Sequence, residues 1–183
     1  MRAKLAHALK LMKLQTDILT SEAKFSEDHK YRYYLIRTWN KKLPRATFIG
    51  LNPSTATEQY DNPTTRRCIE FARREGCGSL CMLNIFAYRS TNPSNLSICP
   101  EPIGKDNNTY IVEKCKDSQL IVAAWGSRGS LNNRGEEVID LLYSTLPDKQ
   151  LLCLGKTKNQ QSIHPLYQSS KIKLIPIISK KEK

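Results

Sequence analysis

Four short apolar runs do most to fix what this 183-residue chain can fold into: Thr47-Phe48-Ile49, Leu80-Cys81-Met82-Leu83, Leu120-Ile121-Val122-Ala123-Ala124 and Leu151-Leu152-Cys153-Leu154. Each has the length of a strand, and an apolar run without polar alternation suits a strand buried on both faces. Helical patterns separate them. Asn62-Pro63 opens one helix, with proline at its first position, and Gly76 closes it. Asp106 caps a second helix that runs to about Lys116, and residues 136–146 make a third. This alternation predicts an α/β fold, a three-layer sandwich whose central sheet is mostly parallel and covered by helices on both faces. Residues 31–37 read as a further strand, Lys41-Lys42-Leu43-Pro44 as a turn into the strand of residues 46–51, and residues 174–178 as the last strand. Leu5, Ala8, Leu9, Met12 and Leu19 recur at near-helical spacing. They predict an amphipathic helix over residues 2–19, part of a helical N-terminal extension (residues 1–30) of one domain spanning residues 1–183. Residues 179–183 read as a frayed basic tail.

In a parallel sheet the strand carboxyl ends line one crevice, where such folds bind ligands. Here the first run leads into Gly50-Leu51-Asn52-Pro53-Ser54-Thr55, the second into Asn84, the third into Trp125-Gly126, and the fourth into a loop carrying His164-Pro165. Two asparagines and a histidine can thus meet in one pocket. Taken singly, each has two readings. Asn52, held out of helical geometry by Pro53, is a turn residue or an amide that binds one small group such as a water. Asn84 ties down a loop or reads a nucleobase edge. His164 is a surface residue or a donor, neutral or cationic, to a leaving group. The long connections over residues 86–105 and 155–173 are of the length that carries function.

Lysine and arginine total 29 against 17 acidic residues, a net charge of +12. Such an excess points to a polyanionic partner, nucleic acid first and an anionic membrane surface second, with a merely basic soluble enzyme as the plainer alternative. No apolar segment is long enough to span a bilayer, and Lys4, Lys10 and Lys13 are spread along the N-terminus instead of preceding an apolar core. A cytoplasmic protein without a membrane partner is expected. The six cysteines form no Cys-x-x-Cys pair and lack partners at metal spacing, which predicts reduced core thiols, no metal and no cofactor. Gly155-Lys156-Thr157 resembles the end of a phosphate loop, but Gln150 stands where glycine is required and no helix pattern follows. Gly126-Ser127-Arg128-Gly129, Lys156 and Lys158 read as phosphate contacts or as solvated loops.

Gly50-Leu51-Asn52-Pro53-Ser54, Leu83-Asn84, Trp125-Gly126 and His164-Pro165-Leu166 occur in that order within residues 46–168. Together they resemble the uracil-DNA glycosylase superfamily. A longer set is similar to a bacterial and phage family of small proteins, the domain-of-unknown-function 1643 type, within or near that superfamily. It comprises Leu51-Asn52-Pro53-Ser54-Thr55-Ala56, Asp61-Asn62-Pro63-Thr64, Asn84-Ile85-Phe86-Ala87-Tyr88-Arg89, Ala124-Trp125-Gly126 and His164-Pro165-Leu166-Tyr167. The resemblance implies a uracil-DNA glycosylase-like fold and a monofunctional DNA glycosylase, which hydrolyses the N-glycosidic bond of a base flipped out of DNA through an oxocarbenium-like transition state.

In that scheme Asn52 would position the water, His164 would donate to the departing base oxygen and Asn84 would read the base edge. Gly50, Leu51, Pro53 and Ser54 would surround the base, and Tyr60, Phe71 or Phe86 would stack on it. Arg89, Ser127, Arg128, Lys156 and Lys158 would contact single- or double-stranded DNA, and Leu166 or Tyr167 would fill the gap in a duplex. No protein partner is implied. The uracil enzymes of highest activity carry aspartate where Asn52 stands and tyrosine where Ser54 stands, the tyrosine blocking substituents at pyrimidine C5. The four cysteines of the iron–sulfur glycosylases have no counterpart. Ser54 leaves room for a 5-substituted pyrimidine, including the hydroxymethylated and glucosylated cytosines of phage DNA, a substrate that would suit anti-phage defence. A nucleic-acid-binding module without chemistry and a hydrolase of free nucleosides or nucleotides are the alternatives.

Overall fold

The four apolar runs form the four central strands of one sheet in the computed structural model, which describes residues 17–54, 56 and 60–178. The strands are β1 (Thr20–Phe25), β2 (Arg32–Thr38), β3 (Arg45–Gly50), β4 (Ser79–Asn84), β5 (Leu120–Ala123), β6 (Leu151–Cys153) and β7 (Ile175–Pro176), in the spatial order β1-β2-β4-β3-β5-β6-β7. Strands β4, β3, β5 and β6 are parallel. The flanking β1, β2 and β7 pair antiparallel. Helices α1 (Pro63–Arg74), α2 (Asn107–Lys116) and α3 (Arg134–Thr145) make the three crossovers, so the protein is mixed α/β with a sheet that is parallel at its centre.

Strand alternation sorts the apolar side chains into two cores. Ile49, Cys81, Leu83, Ile121 and Ala123 pack with Ile111 and Cys115 of α2 and Val138 and Leu142 of α3. Ala46, Phe48, Leu80, Met82 and Val122 pack with Cys68, Ile69, Phe71 and Ala72 of α1. A strand that serves a core on each face needs apolar residues at every position, which is why these runs do not alternate. All six cysteines are free and five are buried. Burial pushes the Cys68, Cys81 and Cys115 thiols up, so they stay neutral packing groups.

The helix starts follow local chemistry. Asn62 Oδ1 accepts the Thr65 N–H at 2.8 Å, and Pro63 follows at the first helical position. Asp106 precedes α2, but its side chain makes no capping bond. Helix α3 begins at Arg134, two residues before the expected start, behind Asn132 and Asn133 in left-handed conformation at φ 51° and 57°.

The N-terminal reading requires correction. Residues 20–25 are not helical; they form β1, antiparallel to β2. This edge strand is mostly exposed and polar, and backbone pairing rather than an apolar run specifies it. The amphipathic helix expected ahead of it falls, before residue 17, outside the described residues, as does the basic tail of residues 179–183. Strand β7 is shorter than expected, although the Ile177 N–H beyond it still donates to the Leu151 carbonyl of β6 at 2.8 Å. Among the described residues no helix is long and apolar enough to cross a membrane.

Candidate functional site

Helix α1 carries the chain from β3 to β4 on one side, whereas α3 carries it from β5 to β6 on the other. The connections therefore diverge between β3 and β5, and the carboxyl ends of these strands open a crevice there. A cavity of about 280 Å³ occupies it, near the lower limit of small-ligand sites. Gly50, Leu51, Asn52 and Ser54 line it beyond β3, Asn84 at the end of β4, Trp125 beyond β5 and His164 in the loop after β6. The three polar residues expected to converge do so. Asn62, Thr64 and Thr65 at the start of α1, and Arg32 of β2, complete the wall with Met82, Ser90, Thr91 and Pro93.

Asn52 is oriented by backbone. Its Nδ2 donates to the carbonyls of Ser90 at 2.9 Å, Pro53 at 3.2 Å and Tyr88 at 3.4 Å. Only an N–H can face three carbonyls, so the amide orientation follows from its surroundings. Oδ1 is then the atom that can accept from a ligand or water. Asn52 both ties the 88–90 loop to β3 and keeps an acceptor for the cavity.

Asn84 lies across Gly50. A Cβ at Gly50 would stand 2.9 Å from Asn84 Oδ1, so glycine is required for the close approach. The Asn84 Nδ2 is buried and has no hydrogen-bond partner among the described residues. The strand end beneath it is fixed by two buried side chains that the sequence pattern did not single out. Asn107 Nδ2 donates to the carbonyls of Asn84 and Ile85 at 3.0 and 3.1 Å, and Arg134 Nε to that of Ile85 at 2.9 Å. A second asparagine in a helical first turn and an arginine at a loop-helix boundary carry no distinguishing sequence signal.

His164 is placed through the β5 loop. Trp125 N–H donates to Ser162 Oγ at 3.1 Å and Trp125 Nε1 to Gln161 Oε1 at 3.0 Å, binding the loop after β6 to the end of β5. Gly126, at φ 77°, makes the turn that lets the histidine approach. His164 Nδ1 accepts the Leu166 N–H at 3.2 Å, which leaves the proton of the neutral ring on Nε2. Burial lowers its pKa and favours that neutral form.

Arg32 is the residue the sequence reading missed. It is 3% exposed, and Nη1 donates to the Ala56 carbonyl at 2.6 Å. Its Nε has no partner among the described residues. Burial, with Arg89 and Arg37 nearby, pulls its guanidinium down to about 10. Asp61 binds Arg37 instead, at 2.9 Å, with both side chains 3% exposed. No aspartate or glutamate lines the cavity among the described residues.

The other expected site residues divide. Ser54 Oγ accepts from Asn62 Nδ2 at 3.0 Å and lines both this cavity and a neighbouring one of about 340 Å³ that includes Lys30 and Arg89. Pro53 lies just behind the wall, its carbonyl bound to the Ser90 N–H at 2.9 Å. The stacking roles read for three aromatics need correction. Phe71 packs on Phe48 within the α1 core, Phe86 is fully buried in the opposite core, and Tyr60 is exposed and off the cavity. Core packing took the two phenylalanines, and Trp125 is the aromatic ring of the cavity wall.

Arg89 lies over the Phe25 ring at 4.9 Å and donates to the His29 carbonyl, beside the second cavity. Ser127 and Arg128 are exposed at the start of the 3-10 segment Ser127–Asn133, with Arg128 reaching Ser94 Oγ at 3.4 Å, and Lys156 and Lys158 are exposed in the loop after β6. Leu166 and Tyr167 border a separate groove with Arg66 and Arg67. Tyr167 is 93% exposed at φ 71°, a conformation unusual for a bulky residue. Among the described residues, no three His, Cys, Asp or Glu side chains gather where they could hold a metal ion.

Fold and site define an α/β protein with a polar cavity, lined by no carboxylate among the described residues, at the carboxyl edge of a parallel sheet. The chain belongs to the family described as Protein of unknown function (DUF1643), whose model matches residues 32–166 and so takes in the whole cavity wall from Arg32 to His164. No curated protein and no solved structure matches the chain.

Proposed function

We propose that this protein is a monofunctional DNA glycosylase with a uracil-DNA glycosylase-like fold, hydrolysing the N-glycosidic bond of a modified or damaged pyrimidine flipped into the cavity. One observation carries the reading: an oriented Asn52 acceptor, the Nε2 proton of a neutral His164 and the unpartnered Asn84 amide line the same small cavity. Asn52 holds the water, His164 donates to the oxygen of the departing base and Asn84 pairs with the base edge. Such groups act chiefly on charge that develops in the transition state.

The substrate reading rests on Ser54, which with Ser90 and Thr91 lines both the main cavity and the neighbouring one. A C5 substituent passing Ser54 would enter that second space, toward Lys30 and Arg89. Hydroxymethylated or glucosylated cytosine, as carried by phage DNA, fits this arrangement, and anti-phage defence is the role it suggests. The basic surface supplies the DNA affinity.

The test is base release from DNAs containing uracil, hydroxymethylcytosine or glucosylated hydroxymethylcytosine, by wild type, Asn52→Ala and His164→Ala. Release by wild type from at least one DNA is expected, with about 10²-fold or greater loss in each variant at unchanged DNA affinity. No release from any member of the panel, or thermal destabilisation that accounts for the lost activity, defeats the proposal.

A further inference from the structure

We infer that Arg32 is a base-binding residue, and that it grips a carbonyl oxygen of the pyrimidine and holds the negative charge the base takes on as it leaves. The inference rests on the base-excision reading for the identity of the ligand. Its physical ground is separate.

Arginine has five donors and no acceptor, and a protein cannot turn it round as it can an amide. Arg32 Nε is buried in the cavity wall without a partner among the described residues. A buried cation with no carboxylate bonded to it is costly, and a site retains one where a ligand supplies the missing partner. Its charged surroundings point the same way. Asp61 acts on Arg32 through space but gives its hydrogen bond to Arg37, Arg89 and Arg37 place further positive charge beside Arg32, and burial favours neutral His164. Helix α1 presents Thr64 and Thr65 of its first turn to the cavity and has no acidic residue there, so its positive end adds to the field. Among the described residues that line this space, Arg32 carries the one formal charge.

A departing pyrimidine meets that requirement. When the C1′–N1 bond breaks, its electron pair leaves with the base and spreads onto the ring carbonyl oxygens. Water then bonds through oxygen to C1′, and its released proton ends on the base, which balances the hydrolysis. Arg32 acts on the charge between those two events. It also selects: the ring position it faces must bear an acceptor, so an oxo group fits where an amino group does not.

The experiment compares calorimetric binding of uracil and 6-azauracil at mildly alkaline pH. The two are isosteric, but 6-azauracil ionises near neutrality and so stands in for the leaving anion. Wild type should favour 6-azauracil by about tenfold or more, the scale of one charge-assisted hydrogen bond. Arg32→Gln should lose that preference, and Arg32→Lys, which keeps the charge, should retain part of it. A wild type that does not prefer the anion, or binds neither base, overturns the inference, as does an Arg32→Gln protein that keeps the preference. Should Arg32→Gln fail to fold, wild type and Arg32→Lys decide. Anion preference without base release from any DNA would sink the glycosylase reading and leave Arg32 as an anion site; base release without anion preference would do the reverse.

Discussion

A single methyl group at position 50 should separate the site from the fold. In Gly50→Ala the new Cβ would stand 2.9 Å from Asn84 Oδ1, while ordinary contacts begin near 3.4 Å. The carboxamide must therefore move by 3.4 − 2.9 Å, or about 0.5 Å. Gly50 has no left-handed φ, so alanine suits its backbone, and the atom it meets is the end of a side chain that can rotate. The strain is offset in part by the smaller entropy of the unfolded alanine chain, keeping the stability change within about 1 kcal/mol, or roughly 2–4 °C in Tm. Activity should respond more. A displacement of 1 Å at a reacting group can cost about 10²-fold, so half of it should cost about tenfold in base release. The decisive assay is the double-mutant cycle with Asn84→Ala. If the methyl acts only through Asn84, Gly50→Ala should cost nothing further once the carboxamide is gone. Additive losses, or unchanged release in the single variant, would refute the reasoning.

Base release should hold steady as pH falls through the ordinary histidine range and decline only below it, since burial lowers the His164 pKa and the neutral ring is the donor; a rise on acidification would identify the imidazolium as the acid instead. The same lowered pKa means the unfolded chain takes up the proton first, so this residue's contribution to stability is complete above about pH 6.5 and is lost as pH falls toward the folded value, a dependence that His164→Gln should remove in thermal melts. DNA binding should weaken steeply with salt, with a log–log slope near −3.6 if only four duplex phosphates are neutralised, and a flat response would remove DNA as the natural partner. Ser54→Tyr should fill the space beside residue 54, which lines both cavities, and suppress excision of 5-substituted pyrimidines far more than of unsubstituted ones; equal losses, or wild-type excision of uracil alone, would return the protein to ordinary uracil repair.

The central sheet was legible because strands β3 to β6 are buried on two faces and so announce themselves as apolar runs. Asn52, Asn84 and His164 were legible for a related reason: in parallel strands the residue after each run falls on the same sheet edge. Strand β1 was not, because an exposed edge strand needs no apolar face, and its Thr20-Ser21-Glu22-Ala23-Lys24 pattern is equally at home in other structures. Phe71 and Phe86 were misplaced because an aromatic near a motif and an aromatic in a core look alike until packing chooses between them. Arg32 was hidden for the opposite reason. Charge in a strand is read by default as solvent-facing, and it is the antiparallel insertion of β2 beside β4 that turns this residue under the cavity.

A wall that holds Arg32 and, among the described residues, no carboxylate also sets what aspartate would do at position 52. Asn52 holds three backbone carbonyls through one nitrogen, the shortest contact being 2.9 Å to Ser90. In Asn52→Asp a carboxylate oxygen would replace that nitrogen and oppose the carbonyls. Losing the Ser90 bond and leaving its acceptor unmet costs about 1–3 kcal/mol, with repulsion from the other two carbonyls in addition. Arg32 could recover part of this by drawing the carboxylate into the cavity, but only by occupying the donor left for the base. Asn52→Asp should therefore lower the Tm by several degrees and fail to raise base release at neutral pH. Melts and single-turnover release together decide the matter. A variant as stable as wild type and faster would mean that the 88–90 loop rearranges to accept a carboxylate, and that Asn52 is a weakened general base rather than a water-holding tie.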